Sequence, residues 1–183
     1  LADWACHAAT GKHLPLSQES IRINDAMPKY SVQRLKDYFG GSLQGRALML
    51  MGVSYLNDVA DTRYSPSEIF VKDCIAAGAT VKLHDTLVTY WPEMETSVEN
   101  SFAAIGDKQS VDAVILAVRH KEYIEMSAAA WVEMFPRATL VLDTNNLLSE
   151  EKAAALRALG VDVLGIGKGH WHADAGHQES RRA

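Results

Sequence analysis

From Arg46 onward, five short apolar runs recur with helix-length segments between them: Ala47–Val53, Thr80–His84, Val111–Val118, Thr139–Leu142 and Val161–Ile166. That rhythm constrains the fold more than any other feature of the chain. Runs this apolar, without polar alternation, belong to strands covered on both faces. Strand–helix–strand units with right-handed crossovers join such strands in parallel. The expectation is therefore an α/β fold, a Rossmann-like open parallel five-stranded sheet with helices on both faces. Its helices are predicted over 66–77, 97–105, 121–134 and 149–159. Gly78 and Gly160 stand where helix C-caps belong, and Ser149 where an N-cap belongs. A long N-terminal helix over 16–39 precedes the sheet, with Leu16, Ile21, Ile23, Met27, Val32, Leu35 and Phe39 as its apolar positions. Pro28 should kink it and Gly40-Gly41 should end it.

The chain thus divides into a helical segment over 1–42, the sheet domain over 43–170 and a polar, flexible tail over 171–183. With 183 residues this is one domain and an appendage, or one generous domain. The formal net charge of −5 means that an anionic ligand must be attracted locally, which argues against nucleic acid or an anionic membrane as partner. No apolar run reaches the ~18 residues that span a bilayer. Cys6 and Cys74 form no CxxC pair and read as buried thiols of a reducing compartment, the cytoplasm. The start, Leu1-Ala2-Asp3-Trp4, has neither an initiator Met nor a secretory signal, so the chain reads as part of something longer.

Ligands of open α/β sheets sit at the carboxyl ends of the strands, which points to the loops 54–65, 85–92, 119–123, 143–148 and 167–171. The first of these carries most of the signal. It leads from Gly52 through Tyr55, Asp61 and Arg63 to a strong helix start, with Ser65 as cap, Pro66 at the first helical position and Glu68 where a capping-box acid belongs. A guanidinium beside a helix N-terminus suits a phosphate, although Arg63 also has Asp61 and Asp58 within reach as surface partners. Tyr55 either stacks on a base or sugar, or packs as ordinary core. Arg119, His120 and Lys121 offer cationic groups to a nucleotide diphosphate or form a solvated charged loop. Asn145 and Asn146 follow Asp143 in a segment whose turn geometry alone explains them, and Lys168 follows Gly165-Ile166-Gly167. The dinucleotide fingerprint G-x-G-x-x-G is absent after the first run. Without it, Asp85 reads as a solvated strand-end carboxylate or helix cap rather than a ribose ligand. His170, His172 and His177 lack the fixed carboxylate or cysteine of a metal centre. Cys6 and His7 are adjacent on a helix and point about 100° apart, so they form no dyad.

Taken in order, four segments resemble the C-terminal domain of the UDP-glucose/GDP-mannose dehydrogenase family. They are Ile23-Asn24-Asp25-x-Met27-Pro28; Gly52-x-x-Tyr55 with Asp61-x-Arg63-x-Ser65-Pro66; Asp112–Val118 with His120 and Tyr123; and Asp143-Thr144-x-Asn146-x-Leu148 through Gly165-Ile166-Gly167. The resemblance covers 1–170. It implies an enzyme that oxidises the C6 alcohol of a UDP- or GDP-linked sugar to a uronate, in two NAD-dependent steps through a cysteine thiohemiacetal, for polysaccharide precursors. It also implies that the NAD-binding domain and the catalytic Gly-Gly-x-Cys segment precede this chain, so that Cys6 is not the reacting thiol. The fragment alone would be inactive. It would bind the nucleotide sugar and close the cleft, while residues 1–42 supply the central helical linker and a homodimer contact. By the same resemblance Tyr55, Leu56, Asp61, Arg63, Ser65, His120, Asn145 and Lys168 face substrate or cofactor. Two positions depart from the family pattern: Leu56 stands where Lys contacts substrate, and Asn145 where Arg contacts nucleotide phosphate. At ~1.5–3 kcal/mol for each charge-assisted contact, those losses weaken phosphate binding unless Arg119, Lys121 or Lys168 compensates. A non-catalytic nucleotide-sugar-binding or assembly module is the alternative.

Overall fold

The structure, a computed structural model, describes residues 7–11 and 14–171. Cys6, the tail histidines His172 and His177, and the rest of 172–183 lie outside the described residues.

Five parallel strands form one sheet in the order β2-β1-β5-β6-β7: β1 Ala47–Met51, β2 Thr80–His84, β5 Ala113–Leu116, β6 Leu140–Asp143 and β7 Asp162–Gly165. Successive residues of each strand face opposite layers. Leu48, Leu50, Ala113, Ile115, Leu140 and Leu142 pack under α1 (Pro15–Tyr38) and α2 (Pro66–Ala76), against Val32, Leu35, Phe70, Val71 and Cys74. Met49, Met51, Val114, Leu116, Val141 and Val163 face the other side, covered by α3 (Lys121–Glu125), α4 (Ala128–Met134) and α5 (Glu150–Ala158) through Tyr123, Trp131, Phe135 and Leu156. This is the two-sided burial that the apolar runs require. The chain moves from β1 outward to β2, then returns past β1 to β5. The topological switch point therefore falls between β1 and β5, where a crevice opens outside the strand ends.

The long helix runs without interruption through a buried Pro28, and Gly40 and Gly41 end it with φ of 77° and 98°. Ser65 and Ser149 cap α2 and α5 through hydrogen bonds from Ser67 N and Lys152 N. Cys74 is a buried free thiol pushed up to about 12, chiefly by that burial.

Two of the expected helices are corrected. There is no helix over 97–105. Instead Tyr90–Trp91 (β3) pairs with Thr96–Ser97 (β4) in a small antiparallel hairpin, and Glu99 bridges to His84. The amide of Val98 goes to the carbonyl of Thr89 and that of Glu99 to Leu83 in β2, so the start of this segment is tied to the hairpin and the β2 edge instead of to a helix. The helix over 121–134 is two helices. Ser127 breaks it, its hydroxyl accepting from Ala130 N at 3.2 Å to start α4 afresh. Trp171, expected in the flexible tail, belongs to the folded core. Trp171 is 2% exposed and packs with the α5 layer.

Candidate functional site

Each strand end is shaped by local rules before any ligand enters. Gly52 leaves β1 at φ +102°, a conformation that side chains resist. A Cβ there would meet Val118 Cβ at 2.5 Å and Val118 N at 2.8 Å. The signature glycine is thus explained by the close approach of β1 and β5 at the switch point.

Two buried aspartates then fold the loops. At the end of β6, Asp143 accepts from the backbone amides of Asn145, Leu147 and Leu148 at 2.8–3.1 Å. At the end of β2, Asp85 does more. Its Oδ2 accepts from Val53 N (2.8 Å), Ser54 N (3.1 Å) and His120 Nε2 (3.1 Å), and its Oδ1 from Leu87 N (2.9 Å) and Val88 N (3.2 Å). Asp85 is fully buried, which corrects the reading of a solvated carboxylate. Burial alone would push its carboxyl up. The His120 hydrogen bond and the amides of Leu87 and Val53 outweigh that and hold it at about 2.

His120 is likewise buried rather than part of a solvated loop. Besides Asp85 its Nε2 meets Ser54 Oγ at 3.1 Å, while its Nδ1 accepts from Asp58 N at 3.1 Å. Burial opposes its protonation, but Asp85 and Asp58 outweigh burial and raise its pKa. Serine and aspartate meet the same ring nitrogen, so the imidazole does not relay a proton from one to the other as in a catalytic triad. The cluster is a brace that ties the loop after β1 to the ends of β2 and β5. Behind it His84, pushed down to about 4 chiefly by burial, is hydrogen-bonded to Tyr123 and stacked on Phe102.

Above this brace, on the α1/α2 side, lies a pocket of about 290 Å³ at the switch point. The ends of β1, β5, β6 and β7 supply Tyr55, Ala117, Thr144 and Ile166. The first turn of α2 supplies Ser65 and Ser67, and α1 closes one side with Asn24, Met27 and Ser31.

Of the residues singled out in the sequence, Tyr55, Ser65 and Asn145 come together around this pocket, with His120 beneath it. Arg63 does not line it. Its guanidinium is clasped by Asp61 at 2.7 and 2.9 Å, is 76% exposed, and holds Asp61 down at about 2. Leu56 is exposed on the same loop. Lys168 donates to Leu148 O at 3.1 Å with its ammonium 3.7 Å above the Trp171 ring. Arg119 bonds the carbonyl of Asn146, and Lys121 sits 3.7 Å from Glu125. Sequence reasoning missed Ser67, Thr144 and the α1 wall as pocket residues. Only the Asn24…Met27-Pro28 motif pointed towards that wall. Among the described residues no group of three His, Cys, Asp or Glu side chains is placed to hold a metal, and no helix is long and apolar enough to cross a membrane.

The comparisons agree with this geometry. Residues 49–150, which run from within β1 through β6 and supply most of the pocket, match the UDP-glucose/GDP-mannose dehydrogenase family, UDP binding domain. The UDP-N-acetyl-D-mannosamine dehydrogenase of Methanocaldococcus jannaschii is 26% identical over 159 residues, 86% of this chain and 35% of that protein. The UDP-glucose 6-dehydrogenase of Rickettsia conorii is 22% identical over 152 residues, 80% of this chain and 34% of that protein. Among solved structures, the NDP-N-acetyl-D-galactosaminuronic acid dehydrogenase of Methanosarcina mazei Go1 shares the fold at a TM-score of 0.71 and 23% identity, over 83% of this chain and 32% of that one. The chain spans about a third of the length of the curated relatives it matches. It belongs to the UDP-glucose/GDP-mannose dehydrogenase family, and what it carries is that family's UDP-binding domain.

Proposed function

We propose that this chain is the nucleotide-sugar-binding part of an NAD-dependent nucleotide-sugar 6-dehydrogenase, which oxidises the sugar C6 alcohol to a uronate for polysaccharide precursors in the cytoplasm. The observation that carries the reading is the switch-point pocket, built largely from the segment that matches the UDP-binding domain. Its role in the whole enzyme is to seat the nucleotide sugar and close the cleft, with hydride transfer to NAD taking place outside this chain.

The residues present do not fit NAD itself. Gly52 is followed by a long loop to Ser65 instead of a tight glycine turn, and the acid after β2, Asp85, is buried with both oxygens already taken. NAD therefore belongs, on this proposal, to a domain outside the chain.

Calorimetric titration of the chain with UDP, GDP, UDP-glucose and UDP-N-acetylmannosamine tests the reading. One saturable site for the UDP compounds is expected. Filling the pocket by Ala117→Trp should weaken it by more than about tenfold, ~1.4 kcal/mol, in a variant whose thermal unfolding stays cooperative. Heat-silent titrations that also show no shift in melting temperature would sink it.

The homodimer contact belongs to α1. Leu16, Ile23, Met27 and Tyr30 fall on one stripe of that helix and are all exposed. Sedimentation should show a dimer that Ile23→Glu converts to monomer. A monomeric native chain at tens of micromolar would contradict it.

A further inference from the structure

We propose that His120 is a positioning residue and a proton switch for the nucleotide-sugar site. Its neutral ring holds the loop after β1 through the Asp58 amide. A proton on Nδ1 displaces that amide and frees the loop, so the ligand binds more tightly when the ring is uncharged. This rests on the reading that the chain binds a nucleotide sugar at the switch-point pocket, and it adds how that site is regulated.

The partners of the buried ring fix its tautomer. Asp85 Oδ2 is an ionised acceptor, and Ser54 Oγ commits its own proton to Leu56 O at 3.2 Å. Both therefore accept from Nε2–H, each at 3.1 Å. That leaves Nδ1 bare, and it accepts from Asp58 N at 3.1 Å. The next proton the ring takes up can only go to Nδ1, where it would point at the amide hydrogen. The amide must then turn away. A replacement stands beside it: Asp58 Oδ1 lies 3.5 Å from Nδ1 and also accepts from Lys121 N at 3.3 Å. Charging the ring thus exchanges a main-chain contact for a side-chain contact at one residue.

The loop is placed to respond. Tyr55 N donates to Asp61 O at 2.7 Å, and Asp58 lies between them with φ of 53°, a left-handed backbone that persists only while its surroundings hold it. Tyr55 is also a wall of the pocket, so loosening Asp58 loosens the rim. Burial opposes a charge on His120, but Asp85 and Asp58 outweigh burial and lift the ring above its ordinary 6.5. The buried titratable neighbours lie far from that range. Asp85 is held at about 2, and His84, beside it at the end of β2, is pushed down to about 4, chiefly by burial. Tyr123 on α3 is raised by burial, with Asp85 and Glu122 adding to the effect. On the ring's own loop, Arg119 bonds the Asn146 carbonyl and Lys121 sits 3.7 Å from Glu125.

The test follows the ring and the ligand separately over about pH 5.5 to 8. In NMR of the ligand-free chain, the Asp58 and Tyr55 amides should shift together with the His120 ring, at a midpoint above 6.5. Such a ring is neutral in about a tenth of molecules or fewer at the acid end, so calorimetry should show UDP-glucose weakened about tenfold there. Its diphosphate is a diester and holds its charge over this range. Asp58→Asn removes the carboxylate that receives the charged ring, at a surface position whose left-handed backbone suits asparagine, so the fold is kept. Both midpoints should then fall by about half a pH unit, the worth of one exposed ion pair. His120→Asn puts an amide oxygen near the place of Nδ1 and cannot be charged, so its affinity profile should be flat; should it fail to fold, Asp58→Asn decides alone. A ring that titrates without moving the Asp58 amide, a flat or inverted UDP-glucose profile in the native chain, a sloping one in His120→Asn, or unchanged midpoints in Asp58→Asn overturns the inference. Absence of UDP-glucose binding at every pH overturns the functional reading, while the NMR titration still decides the switch.

Discussion

Asp85→Ala is expected to lower the stability of the chain by about 4 kcal/mol, because one buried carboxylate satisfies five donors. Its removal strands four backbone amides at the ends of β1 and β2 and leaves His120 without its acceptor. Asp85→Asn should be nearly as damaging. An amide nitrogen at either oxygen position would face two or three N–H groups, since Oδ1 serves Leu87 and Val88 while Oδ2 serves Val53, Ser54 and His120. Acid unfolding provides a second signature. The folded-state pKa of Asp85 is depressed to about 2, below its unfolded value of ~3.9, so the stability it contributes is fully present above the unfolded value and is lost as the pH falls from 4 towards 2. Urea unfolding of both variants at neutral pH, repeated across that acid window, reads both effects. A loss under ~1 kcal/mol at neutral pH, or an unchanged acid limb in Asp85→Asn, would show that the loops hold themselves without the carboxylate. Nucleotide affinity should fall as well, because the amides of Val53 and Ser54 set the course of the chain into Tyr55 and the pocket rim.

Much of this architecture was legible in the residue order, and the exceptions share a physical cause. The five strands and α1, α2 and α5 follow from period, caps and glycine stops, all of which are local signals: Ser65-Pro66, Ser149, Gly40-Gly41. The segment 97–105 misled because its first residues pair away from it, Glu99 with the edge of β2 and Val98 with Thr89, which no local pattern encodes. The same holds at the site. Arg63 reads as a phosphate clamp from its neighbours in sequence, yet Asp61, two residues away, already holds its guanidinium. Asp85 and His120 read as solvated because charged residues at strand ends usually are. Only the folded chain shows that each is the other's partner across three loops. Neither local pattern nor family resemblance paired the Asn24…Pro28 helix with the loops after β1 and β6. Residues from both line one cavity.

Trp171→Ala should cost about 3–5 kcal/mol, the range for truncating a large buried aromatic. Its indole is 2% exposed and packs with Val163 and Leu156, and the absence of a side chain at Gly165 makes room for it: a Cβ there would come within 2.8 Å of Trp171 Cε3. Polar groups fix the ring in place. Nε1 donates to Glu150 Oε2 at 2.7 Å, the Lys168 ammonium sits 3.7 Å above the ring and the Arg157 guanidinium 5.5 Å from it. Trp171→Phe separates the two contributions. It keeps most of the packing and loses the Glu150 hydrogen bond, which is partly screened at the surface, so its loss should be about 1 kcal/mol. Denaturant unfolding of both variants, with unchanged steepness, would place Trp171 inside the cooperative unit with β7 and α5. If Trp171→Ala unfolded within ~0.5 kcal/mol of the native chain, the ring would be an adherent of the domain instead of part of it. The pocket wall at Ile166 lies just past the end of β7, so this packing also holds in register one side of the site.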